Sequence, residues 1–314
     1  MRIAVAALLL LAAAVPAAGA PWLSRAAWPQ RAPRAGIATW LACSLSVVVS
    51  LILAGLVLAV PCAQLSTDPA VLRTCLSLLR AQYVSPAGAV TGIAGILLAT
   101  MVAGRVTWYY GAAVAAARRR RATHEDVLAV IARPGPAADV RIIDGDRPAV
   151  YCLPGRRRIV LTTGALTCLD EAELDAVLAH ERAHLSGRHH IVLALAVAVH
   201  RAFSPSGFFA VAARQLAYLV EVAADDAAVR RAPRLTVASA LLAVATAGVP
   251  AAALGASGSA TAQRIQRLIN PPPPDSRARR AVTYASLTAA VALATLAFVV
   301  AFVTITKCPP IAHF

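Results

Sequence analysis

Leu169-Asp170-Glu171-Ala172-Glu173-Leu174-Asp175-Ala176-Val177-Leu178-Ala179-His180-Glu181-Arg182-Ala183-His184 is the stretch whose reading decides the fold of the polar half of this chain. Asp170 can cap a helix, Glu173 completes a capping box, and Leu174, Val177 and Leu178 repeat at helical spacing. His180 and His184 then project from one face, about three turns into the helix. Both imidazoles can hold one Zn²⁺ there, while Glu181 takes a proton from water at the metal. With 7 His and five Glu in 314 residues, a chance His-Glu-x-x-His is expected in about one such chain in 400. The bland alternative is a pair of solvated or core histidines beside a surface glutamate.

A zinc site for catalysis needs a third protein ligand and one open position. Glu221 is the best candidate. It shares a helical face with Asp225, four residues on, in the run Leu219-Val220-Glu221-Val222-Ala223-Ala224-Asp225-Asp226. Asp225 could hold a ligand histidine through its other ring nitrogen. The alternative is an acidic helix face in water. His189, His190 and His200 read as surface or core histidines, and Tyr218 and His200 are weak candidates for stabilising an oxyanion.

The rest of the chain is mostly hydrocarbon. Apolar residues make up 59% and mean hydropathy is +0.68, well above a soluble domain. Residues 3–18, 37–60, 88–111 and 282–305 are apolar enough to span a bilayer, 61–87 form a loop, and 306–314 a tail. Net charge is +15, and 29 of the 30 cations are arginine. Arg25, Arg31 and Arg34 precede the second span, Arg118 to Arg121 follow the third, and Arg277, Arg279 and Arg280 precede the fourth. The positive-inside rule places all three clusters in the cytoplasm. Residues 112–281 are then one cytoplasmic domain of a cell-membrane protein, with both termini and the loop outside. Orientation and anionic lipid account for the charge, so no nucleic acid partner is expected. A cleaved secretory signal over residues 1–20 is the alternative to a first anchor. Cys43, Cys152 and Cys168 lack metal spacing, whereas Cys62 and Cys75 share the external loop, where a disulfide is plausible.

Within the domain, Thr123 to Ala132 reads as a helix ended by Pro134-Gly135-Pro136. Residues 140–143, 149–152 and 158–162 read as short strands. A small sheet followed by the His-Glu-x-x-His helix suggests an edge strand that pairs with extended substrate, or a hairpin that only roofs the helix. Residues 191–199 are apolar but too short to span, and Pro271 to Pro274 suggest a stiff linker.

These residues resemble the BlaR/MecR-type integral-membrane zinc metallopeptidases. The likeness rests on Cys152-Leu153-Pro154-Gly155, Arg158 to Leu166, His180 to His184 and Glu221-x-x-x-Asp225, framed by three spans before and one after. It implies a multi-pass α-helical membrane protein with a cytoplasmic α+β zincin-like (gluzincin) metallopeptidase domain. It also implies Zn²⁺ held by His180, His184 and Glu221, Glu181 as general base and then acid, and Asp225 supporting a ligand histidine. Sensing members of that family carry an external penicillin-binding domain after the last span, and this sequence ends at Phe314, so a sensorless member with a transcriptional repressor as protein substrate is expected. A CAAX-processing or heat-shock quality-control membrane peptidase shares both motifs. A catalytically idle, metal-binding adaptor is the non-enzymatic alternative.

Overall fold

The computed structural model describes residues 2–61, 68–204, 206–247, 254–271, 273 and 277–306. Helices α1 (Arg2–Arg25), α2 (Trp28–Arg31), α3 (Pro33–Ala59), α4 (Pro69–Val84) and α5 (Pro86–Ile131) form the first half. α1, α3 and α5 carry the first three expected spans and are long and apolar enough to cross a membrane. The fourth expected span lies in α12 (Arg277–Thr306), which packs along α3. Of the Cys62–Cys75 pair, Cys62 lies outside the described residues. So do Pro272 and Pro274 of the Pro271 to Pro274 run.

Two expectations need correction. The 61–87 loop contains a helix, α4, which the cap of Asp68 on the Ala70 amide starts. Near the end of α4, the Gln82 amide and the Tyr83 hydroxyl donate to the carbonyls of Leu58 and Ala59, at 2.9 and 3.1 Å. Those carbonyls belong to the last turn of α3 and would otherwise lack partners. Nor is the 123–132 helix separate: α5 runs unbroken through Arg118 to Arg121. No proline interrupts the sequence between Pro86 and Pro134, and arginine is a good helix former. At 46 residues the helix is about 69 Å long, so it carries the bundle directly into the polar domain.

α3 and α5 meet backbone to backbone at a glycine pair. A Cβ on Gly95 would lie 2.5 Å from the Gly55 carbonyl oxygen, so only hydrogen fits there. Gly95→Leu is therefore expected to lower the detergent-solubilised melting point through overpacking worth about 1–3 kcal/mol. Gly104→Leu, on the same helix but with nothing within 4 Å of the added Cβ, should melt like wild type. Equal melting of both variants would mean that α3 and α5 do not pack this way.

The polar domain opens with a four-stranded sheet of β1 (Arg133–Pro134), β2 (Val140–Ile143), β3 (Val150–Leu153) and β4 (Arg158–Thr162), in the order β1-β2-β4-β3. β2 and β4 are parallel and the other pairs antiparallel. β4 is central and its Ile159, Val160 and Leu161 are fully buried, as expected of a strand covered on both faces. Ile159 and Leu161 pack with Val140, Leu178 and Leu185, whereas Val160 packs with Leu128 and Leu153. A short α6 (Thr163–Cys168) leads to α7 (Glu171–Ser186), which the Asp170/Glu173 capping box starts. Then follow α8 (His189–Ala202), α9 (Gly207–Ala228), α10 (Arg234–Ala247) and α11 (Leu254–Ile269). The apolar 191–199 segment is α8, packed against α5 and α9.

α9 joins the two halves. Its first turns place Phe208, Phe209, Ala212, Leu216 and Leu219 in one apolar cluster with Trp40, Val47 and Val48 of α3 and Val102 of α5. Its last turns carry Glu221 and Asp225 against α7. By length and composition α9 is also long enough to cross a membrane, which the sequence reading did not assign.

Candidate active site

The capping box fixes where α7 begins, and with it the face from which its histidines point. The Nε2 atoms of His180 and His184 lie 3.1 Å apart. Glu221, arriving from α9, places Oε2 3.5 Å from His180 Nε2 and Oε1 3.5 Å from His184 Nε2. Ligands at about 2.0–2.1 Å around a tetrahedral Zn²⁺ would be about 3.3 Å from one another. The two nitrogens and the nearest Glu221 oxygen to each are thus close to that spacing, and His180, His184 and Glu221 can each offer one ligand atom within 4.8 Å of the others.

Asp225 is almost fully buried one turn further along α9. Its carboxylate is 3.0 Å from His180 Nδ1, at an angle short of a directed hydrogen bond. Asp225 is thus placed beside His180. Burial disfavours the His180 cation, but the Asp225 and Glu221 carboxylates outweigh it and push its pKa up to about 9. His184 goes the other way: burial outweighs the pull of Glu221 and brings its pKa down to about 4.

Two residues of the site escaped the sequence reading. Arg264, from α11, donates through Nε and Nη2 to both oxygens of Asp225 at 2.8 and 2.7 Å, and its Nη1 lies 2.9 Å from Glu221. One buried guanidinium thereby holds the proposed ligand carboxylate and its neighbour at a fixed spacing. His189, read as a surface or core histidine, is buried with Nδ1 3.0 Å from His184 Nδ1. The tight α7–α8 turn makes this contact available. A Cβ on Gly187 would collide with the His189 ring, and Arg188 adopts a left-handed φ of 50°. The Nδ1 atoms of the two histidines thus face different neighbours, Asp225 beside His180 and His189 beside His184.

Glu181 faces β3. Burial raises its pKa, against the lowering effects of His180 and of a hydrogen bond from the Cys152 thiol. The thiol's own pKa is pushed up to about 12 by burial and by the Glu181 charge, so it stays a donor at neutral pH. Val150 and Cys152 share one face of β3, and β3 is an edge of the sheet. A cleft of about 170 Å³ opens beside it, where Val150, Val177, Val237 and Leu241 stand next to His180, Glu181, Glu221 and Arg264. Tyr218 and His200 do not line this cleft.

Residues 115–268 match Peptidase family M48. That match indicates a metalloprotease. The chain is 29% identical over 128 residues to a protease HtpX homolog of Aquifex aeolicus (strain VF5), covering 36% of this chain and 42% of that protein. It is 42% identical over 65 residues to a protease HtpX homolog of Acidiphilium cryptum (strain JF-5), covering 20% of this chain and 22% of that protein. The chain thus spans less than half the length of these curated relatives. No solved structure matches the chain significantly. With its apolar helices, the chain has the make-up of a membrane metallopeptidase, and the likeness points to the M48 and HtpX type rather than the BlaR/MecR type.

Proposed function

We propose that this chain is a membrane-embedded zinc endopeptidase of the heat-shock quality-control type, acting on protein segments presented at the membrane surface. The triangle of residues His180, His184 and Glu221 carries the reading, because it gathers two imidazole nitrogens and a carboxylate closely enough to share one zinc. Zn²⁺, when bound, supplies a Lewis acid that polarises the scissile carbonyl and acidifies water. Glu181, beside this triangle and unable to share it, takes the proton from the attacking water and delivers it to the leaving amine. Its raised pKa suits both halves of that task. The free edge of β3 offers backbone donors and acceptors to an extended substrate, and the apolar wall of the cleft receives one of its side chains. The arginine clusters favour a cytoplasmic site, with both termini outside. A transcriptional repressor as substrate draws no support from the relatives.

Metal analysis of the purified protein tests the centre, together with cleavage of an unfolded protein such as casein. One zinc per chain is expected in wild type and close to none in His180→Ala or His184→Ala. Asp225→Asn should lower zinc affinity about 10–100-fold by releasing His180. Full occupancy in His184→Ala would remove it from the ligand set. Zinc bound without any cleavage by wild type would favour the idle adaptor.

A further inference from the structure

We propose that a basic cavity on the far side of α7 binds the phosphate of an anionic lipid headgroup. The cavity measures about 1210 Å³ and borders Asp175, Ala179, Arg182 and Ser186 of α7. These positions are rotated roughly half a turn around the helix from His180, Glu181 and His184. It is therefore a separate space from the catalytic cleft. Five arginines reach it: Arg34 from α3, Arg157 from the β3–β4 turn, Arg182 from α7, and Arg230 and Arg231 after α9. Against them stand two aspartates, Asp139 and Asp175. Asp139 is already taken by the Arg182 guanidinium, at 2.8 and 3.0 Å. Among the described residues, no carboxylate contact accompanies Arg34, Arg157 or Arg231. Cations gathered around one cavity repel unless an anion enters, and phosphate is the anion that matches the planar guanidinium fork.

The position of the cavity selects lipid as the source. Arg34 sits in the first turn of α3, directly at the end of a bilayer-length helix, and Ile37, one turn on, also lines the cavity. Val192 of α8 adds apolar wall. A headgroup at that level can place its phosphodiester among the arginines while its acyl chains remain beside the apolar helix. The cavity also borders His189, whose ring contacts the His184 imidazole. A bound headgroup would thus sit two side chains from the catalytic centre.

The test is native mass spectrometry of the full chain, released from detergent carrying equal amounts of phosphatidylglycerol and phosphatidylcholine. Wild type is expected to retain phosphatidylglycerol selectively. Arg34→Gln combined with Arg231→Gln should weaken that binding on the order of thirtyfold, while Arg34→Lys with Arg231→Lys should keep most of it. Arg119→Gln with Arg120→Gln, outside the cavity, should leave it unchanged. All these arginines are exposed, and matched melting points would verify that the variants fold. Equal loss in the Arg119/Arg120 pair would reduce the effect to diffuse attraction and overturn the proposal. So would the absence of lipid preference in wild type, including the case in which inorganic phosphate alone binds with the same arginine dependence.

Discussion

Glu181→Gln is expected to keep one zinc per chain and to lose peptide cleavage by about 10²–10⁴-fold, the range that a positioned proton-transfer group supplies. The amide has nearly the shape of the carboxylate and makes no contact that holds the ligand triangle together, so folding and metal content should survive. The pH profile gives an independent check. The base form of Glu181 is lost as pH falls through its pKa, and burial raises that pKa above the ordinary 4.5. The acid limb of kcat/KM should therefore lie above the usual carboxylate range. The hydrogen bond from Cys152 lowers the Glu181 pKa, so Cys152→Ala should move the acid limb to still higher pH. Cleavage by Glu181→Gln at wild-type rates would remove Glu181 from the chemistry. A Cys152→Ala limb displaced to lower pH would show that the thiol does not stabilise the carboxylate.

What could be read in the sequence was what local rules encode. The capping box of α7, the histidine spacing, strands β2 and β4 and the four-residue step from Glu221 to Asp225 depend on neighbours in the chain, and each lies in the kind of element that its local pattern encodes. β3 begins one residue later than expected. Arg264 could not be read this way. It lies 39 residues beyond Asp225, on a helix whose polar residues look like an ordinary solvated face. Only the docking of α11 turns it inward. His189 was hidden differently, because two adjacent histidines after a glycine resemble a surface turn, and the tight approach at Gly187 is a property of the folded backbone. Continuity of α5 is not legible locally because a charge run looks like a domain boundary. On a helix leaving a bilayer, arginines mark the water interface without ending the helix. The BlaR/MecR likeness rests on short motifs, whereas the M48 and HtpX likeness is carried by much longer stretches of the chain.

Arg264→Leu should destabilise the protein by about 3–5 kcal/mol, the cost of stripping one partner from a buried ion pair. Asp225 has only 1% of its surface exposed, and it receives two charge-assisted hydrogen bonds from Arg264. Leucine would leave that carboxylate in an apolar setting with His180 alone. Glu221 would lose its 2.9 Å contact as well, so two carboxylates about one turn apart would be left with His180 as their shared partner. Arg264→Lys keeps the charge but loses the fork, and should fall between wild type and leucine. Asp225→Asn provides the cross-check. Combined with Arg264→Leu it removes both members of the pair, so the double variant should melt well above the sum of the two single losses. Melting of the solubilised protein measures all four. An Arg264→Leu melting point equal to wild type would show that α11 does not close over the site, whereas strictly additive losses would show that Arg264 and Asp225 act separately.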